Sequence, residues 1–205
     1  MPNVEEVLLA RVSPLTCYTF HALMNAVGKS YALQGQHPIT VFIPNDVAFE
    51  ALHEGAVYDL LKDISKLEEL LNFHLVPMEL TTSDVANFAL QLADQEAPII
   101  PDNVRAATTA RLRTLQVETL SSYSLTLTLT EEELQVNGVK VYEANIVADN
   151  GVAHIIESIL WPPGLSEASF VPKVQYRDVS SFHNRLYSDS GIGREPRMKT
   201  NTKVM

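Results

Sequence analysis

The chain has 205 residues, 46% of them hydrophobic, with 25 acidic against 15 basic side chains for a formal charge of −10. Such a length and apolar content support one buried core and little beyond it. An acidic balance argues against nucleic acid as a partner, because phosphate binding is driven by releasing counterions from a basic surface.

The single cysteine, Cys17, excludes an internal disulfide, and no apolar run approaches the ~18 residues that a membrane span needs. The opening MPNVEEVLLARVSP carries two glutamates and no basic-then-apolar pattern, so it does not read as a secretory signal. An intracellular location is expected, in no particular organelle. Charge splits the chain: residues 1–163 hold 8 Lys and Arg against 21 Asp and Glu, while residues 164–205 hold 7 against 4. The division predicted is a folded body, 1–163, and an extended basic tail without its own fold, 164–205.

In chain order, VEEVLLARV (4–12) and YTFHALMNAV (18–27) have helical spacing, with Gly28 as a stop. ITVFI is a short strand. Pro44 ends it, Asn45 supplies a side-chain oxygen to cap the next helix, and Val47, Ala48, Ala51 and Leu52 are expected as that helix's buried stripe. Leu60, Ile64, Leu67, Leu71 and Leu75 recur at helical spacing, with a capping box available at Ser65 and Glu68 and Pro77 as the terminator. TTSDVANFALQLA predicts another capped helix, and APIIPDNVRAATTARLR reads as an insertion loop with room for a short helix.

From residue 114 the period becomes two: Leu125, Leu127 and Leu129 alternate with Thr126, Thr128 and Thr130. Asn137-Gly138 and Asp149-Asn150-Gly151 mark turns. Helices first and alternating strands later predict an α+β domain with a twisted antiparallel sheet and helices on its flank.

Three stretches carry a resemblance: TVFIPNDVAFEAL (Thr40 to Leu52), LLNFHLVPMELTTSDV around Phe73-His74, and NGVAHIIESILWPP (Asn150 to Pro163). In this order and spacing, residues 4–163 resemble a fasciclin-type domain, the module of fasciclin I, periostin and the transforming-growth-factor-induced protein. The resemblance implies a fasciclin-like wedge of twisted antiparallel sheet flanked by several helices. The positions that carry its structural motif are Thr40, Phe42, Pro44, Asn45, Phe49, His74, Gly151, His154 and Glu157. Phe73 stands where Tyr is usual, Glu157 where Asp is frequent, and the segment at 86–113 is longer than in a compact member. The integrin-binding roles proposed for that region therefore do not transfer, and no Arg-Gly-Asp occurs.

No catalytic, cofactor-binding or metal-binding residue is predicted. His74 lies beside an apolar stripe and reads as a buried imidazole bonded to backbone, as the resemblance also implies; His154, in the last strand, reads as a strand residue. The remaining histidines lack ligand spacing, and no Gly-x-Ser-x-Gly, phosphate loop or His-Glu-x-x-His is present. Glu131-Glu132-Glu133 reads as a solvated strand edge that deters edge pairing.

Two non-enzymatic functions follow. The first is a protein-binding or scaffolding module, which the resemblance extends to cell adhesion and to linker polypeptides of light-harvesting antennae. In it, the tail residues Phe170, Tyr176, Arg177, Phe182, Arg185, Tyr187 and Arg194 would anchor an extended segment on a partner in a multi-subunit assembly. The second, which the resemblance implies through algal proteins with a similar domain that bind carotenoids, is carriage of a small apolar ligand, for which Phe88, Leu90, Leu92, Ile99 and Ile100 offer an apolar lip.

Overall fold

Strand β1 (Ile39–Pro44) is buried along its whole length, and that burial organises the domain around it. The computed structural model describes residues 2–11, 15–35, 37–96, 113–130, 133–166 and 169–170. The first 172 residues form one compact unit.

Helices come first. Helix α1 (Val4–Leu9) starts at a capping box in which the Asn3 side chain accepts from Glu6 N–H at 2.9 Å and Glu6 returns the bond at 3.1 Å. Helices α2 (Tyr18–Ala26) and α3 (Tyr31–Gln34) follow, then β1 and α4 (Asp46–Glu50). Asn45 caps α4 as expected, its side-chain oxygen accepting from Ala48 N–H at 3.0 Å. The buried face of α4 is Ala48 and Phe49, whereas Val47 is 52% exposed and Ala51 also faces solvent. A helix of five residues turns too little to show the longer stripe that the spacing suggested.

The run from Leu60 to Leu75 is two helices and a strand: α5 (Ala56–Lys62), α6 (Ile64–Phe73) and β2 (Leu75–Val76). The break falls at Asp63, whose carboxylate accepts from Lys66 N–H and caps α6, in place of the expected Ser65 and Glu68. Helix α7 (Thr82–Glu96) begins where Thr81 and Asp84 bond reciprocally. The strands β3 (Arg113–Glu118), β4 (Ser124–Leu129), β5 (Leu134–Val136), β6 (Val139–Ala148) and β7 (Gly151–Ile156) complete the order.

The sheet order is β2-β1-β7-β6-β5-β4-β3. Every pairing is antiparallel except β1 with β7, which run parallel from Ile39 opposite Gly151 to Pro44 opposite Ile156. A parallel pair needs a long connection between its strands, and here everything from α4 to β6 serves as that connection. One core fills the space between the sheet and the helices, with Val41, Ile43, Phe20, Met24, Leu67, Leu71 and Ile155. A second core lies across the sheet, where Phe42, Phe73, Leu80, Leu115, Leu125, Leu127 and Ile156 meet. Because β1 and β7 are covered on both faces, ITVFI is a continuous apolar run and lacks the alternation of β3 and β4.

The sheet curls toward a barrel, and Leu120, just beyond β3, donates its N–H to Leu75 O of β2 at 2.9 Å. At the other end of the domain Leu165 and Phe170 fold back onto the helical core, with the Phe170 ring stacked on Trp161 at 5.1 Å.

Gly151 opens β7 at φ +150°, and a Cβ there would lie 1.9 Å from Ile39 O. Gly151→Ala must therefore push β7 off β1. A loss on the order of 3 kcal/mol or more is expected in urea unfolding, and a loss below about 1 kcal/mol would show that the pair yields without strain.

Candidate functional site

The buried polar signature residues lie at or beside the β1–β7 pair and spend their side-chain hydrogen bonds on backbone groups. Thr40 Oγ1 donates to Met78 O at 2.7 Å and accepts from Leu80 N–H at 2.8 Å. Two strand positions on, Phe42 stacks on His154, its partner across the parallel pair, with ring centroids 5.3 Å apart. Next to Leu80 O the His154 Nε2 must carry hydrogen, since a carbonyl can only accept, and the bond is 2.8 Å. That leaves Nδ1 to accept from Asn145 N–H at 3.3 Å. His74, the C-cap of α6, uses the opposite tautomer: Nδ1–H donates to Leu70 O at 2.8 Å, and Nε2 accepts from Leu160 N–H at 3.1 Å. Each ring joins a helix or loop to the β7 strand or to the chain leaving it. Phe49 is buried in the helical core, and Pro44 ends β1 opposite Ile156.

Neither imidazole is poised to titrate near neutrality. Burial pushes both down, to about 4, against a smaller upward pull from the carbonyls of Leu70 and Leu80. The Cys17 thiol is pushed up to about 12 by burial and by Asp46, so it is not a thiolate nucleophile at neutral pH. Among the described residues no three His, Cys, Asp or Glu side chains are grouped to hold a metal ion, and no buried side-chain N or O atom lacks a hydrogen-bond partner. This arrangement braces the fold: the side chains of Thr40, His74 and His154 each hold two backbone groups.

Three bracing residues had no signal in local sequence. Helix α2 has Cys17 at its N-cap position and no cap bond from it, and Asp46 takes over, accepting from Tyr18 N–H at 3.2 Å and Thr19 N–H at 2.8 Å. Burial raises the Asp46 carboxyl, yet the bonds from Thr19, Thr16 and Tyr18 outweigh it and hold the group below the usual 3.8. Asn145, bulged out of β6 at φ +60°, accepts from Thr82 N–H and donates to Thr82 Oγ1, fixing the start of α7. Asn150 accepts from Val4 N–H and donates to Leu33 O, which ties α1 and α3 to the β6–β7 turn.

Glu157 differs from the other motif positions: it is exposed and, with Asn45, Leu15, Val47 and Tyr142, lines a surface cleft of about 250 Å³. Phe88 and Leu92 line a second groove of about 340 Å³ between α7 and β3, whereas Leu90 is exposed and not part of its lining. Ile99 and Ile100 lie outside the described residues, as do Glu131, Glu132, the insertion at 97–112 and the tail residues Tyr176, Arg177, Phe182, Arg185, Tyr187 and Arg194. Phe170 is described and half-buried, between Trp161 and His53. Glu133 pairs with Lys140.

The fasciclin domain family matches residues 16–162. The chain belongs to that family. It is 29% identical over 150 residues to protein sll1483 of Synechocystis, covering 72% of this chain and 68% of that protein. To the transforming growth factor-beta-induced protein ig-h3 of Sus scrofa it is 28% identical over 142 residues, 69% of this chain and 17% of that protein. A solved fasciclin domain pair from the insect cell adhesion molecule fasciclin I is similar at a TM-score of 0.43 and 16% identity, covering 70% of this chain and 44% of that one. Fasciclin domains are found in adhesion and matrix proteins, and in this one the family signature forms the bracing network just described.

The two histidines give this fasciclin domain a specific acid response. Their folded values, about 4, lie below the 6.5 of an unfolded histidine, so their contribution is complete above pH 6.5 and is lost as the pH falls toward 4. The loss is roughly 3 kcal/mol per ring. Asp46 acts in a lower window, its contribution being lost below 3.8. Urea unfolding between pH ~7 and ~4 should show the decline, and His154→Gln should flatten it. Equal slopes for the two proteins would remove the assignment.

Proposed function

We propose that this fasciclin domain is a non-catalytic protein-binding module, an accessory or linker subunit of a larger intracellular assembly, with the basic stretch after Pro172 as an extended contact. One observation carries the reading. Apart from the exposed Glu157, the polar side chains of the signature are spent inside the fold, while large side chains stand in water: Tyr142, 59% exposed, lines the cleft with Val47 and Glu157, and Tyr18, 53% exposed, is tied to the start of α4 by its N–H bond to Asp46. Tyrosines that offer an apolar ring and a hydroxyl at a cleft rim suit contact with another protein surface. The charge contrast between an acidic body and a basic C-terminal stretch with Tyr176, Phe182 and Tyr187 supports a tail that reaches to a partner.

A second reading, carriage of an apolar ligand such as a carotenoid, is supported by the groove between α7 and β3, where Met78, Leu80, Phe88 and Leu92 present hydrocarbon.

Removal of residues 173–205 tests the first reading and spares the stacking of Phe170 on Trp161. The shortened protein is expected to keep its thermal midpoint within about 3 °C and to lose co-purification and cross-links to its assembly in native extract. Undiminished co-purification would remove the tail from the function. For the second reading, protein taken from its native source should show a visible absorption band, and a colourless preparation with an empty organic extract excludes a carotenoid.

A further inference from the structure

The near-closure of the sheet fails at one place for an identifiable reason. Leu120 N–H bonds to Leu75 O, the first rung of a ladder that would join β3 to β2. Beyond Leu75 the chain runs back along β3, since Met78 and Leu80 share a groove with Leu115, Val117 and Glu118. The next rung in that direction would require an N–H from residue 77, and residue 77 is proline. The ladder stops there and a seam opens.

The groups along that seam follow from the pairing of β3. Thr119 N–H bonds to Tyr123 O, so the odd-numbered residues of β3 bond to β4 and the even-numbered ones turn their N–H and C=O outward. Leu120 obeys the same alternation. Thr114, Gln116 and Glu118 thus offer three N–H and three C=O groups with no backbone partner among the described residues. The groove of about 340 Å³ touches Leu115, Gln116, Val117 and Glu118 in succession, and successive side chains point to opposite faces, so it runs along the strand's free edge. Its other wall is α7, with Phe88 38% and Leu92 47% exposed.

We infer that this seam accepts an extended peptide of a partner protein, which adds as a strand to the free edge of β3. The inference rests on the reading of the domain as a protein-binding module. A hydrocarbon ligand in the seam would strand the outward backbone groups, whereas a peptide supplies a partner for each. Alternate side chains of the peptide enter between Met78, Phe88 and Leu92. Among the described residues the only charged one lining the groove is Glu118, and Glu79, beside Met78, is also exposed. The occupant therefore carries apolar residues at every second position and Lys or Arg at the end that lies by Glu118.

Selection of a phage-displayed random nonapeptide library on the full chain, with amide hydrogen exchange as readout, tests this. Enriched peptides should alternate apolar residues and carry a terminal cation. In synthetic form they should slow exchange at Thr114, Gln116 and Glu118 about tenfold or more, and lose binding when alternate amides are N-methylated. Gln116→Pro removes an outward N–H without touching the β3–β4 ladder, and Leu92→Arg puts a cation into the groove. Each should weaken binding about tenfold or more in a protein that still unfolds cooperatively, and the second variant stands should the first fail to fold. The inference is overturned if no peptide is enriched, if bound peptides tolerate N-methylation, or if both variants bind normally. Slow exchange at the three amides in the peptide-free chain also overturns it, because the edge is then already covered by the chain itself. Continued co-purification of the Gln116→Pro protein with its assembly would sink the seam alone, and loss of assembly contacts on removing residues 173–205 would leave the module reading standing.

Discussion

The contact of Gly151 with the backbone of Ile39 is the constraint from which the rest of the domain follows. It starts a parallel strand pair whose members lie far apart in the chain, and the pair is covered on both faces. Covering both faces requires two separate cores, one supplied by the helices that precede β1 or follow it closely and the other by the curled sheet formed late in the chain. Neither core is complete until β7 is seated. The Asn150 side chain couples that seating to the N-terminus, because it bonds Val4 N–H and Leu33 O from the turn that immediately precedes Gly151.

The two histidines perform the same task further along the pair, around Phe42. An imidazole presents a donor and an acceptor on a rigid ring, so one side chain can satisfy two backbone groups that face each other across a junction. His74 joins Leu70 O to Leu160 N–H, and His154 joins Leu80 O to Asn145 N–H, each reaching between segments that have no ladder to share. Two rings in opposite tautomers serve two junctions of opposite polarity. Their neutrality is a condition of this use, since a second ring proton would face an N–H in both places.

Much of this was legible in the sequence where the interaction is local. Asn45 caps the helix that begins one residue later, and its spacing to Ala48 is visible in the order of residues. The alternation of Leu125 and Leu127 with threonines gave β4, and the same logic gave the turn at Asn137-Gly138, where both residues have positive φ. Illegible were the interactions closed by the tertiary fold. Asp46 caps a helix 28 residues earlier, and Asn145 holds Thr82 from 63 residues away, so neither has a neighbour in sequence that announces its role. Leu75 satisfied a helical count and became a strand because β1 lay beside it with a free edge. Pro77, expected to end the helix, does not: α6 has already ended at Phe73, and the proline follows the β2 strand.

That division has a consequence for function. Apart from the exposed Glu157, the polar side chains by which the family is recognised spend their hydrogen bonds inside the fold, and a spent donor has nothing left for a partner. Contact must then be made by side chains and backbone edges that the fold leaves unused. In this chain those are Tyr142 and Glu157 at the first cleft, the exposed Tyr18, and the even-numbered residues of β3. Such positions can change without disturbing the β1–β7 pair, because they neither bond to it nor pack into its two cores. One scaffold can thus carry unrelated partners in different proteins, and resemblance in the signature fixes the fold while leaving the partner to be read from the surface.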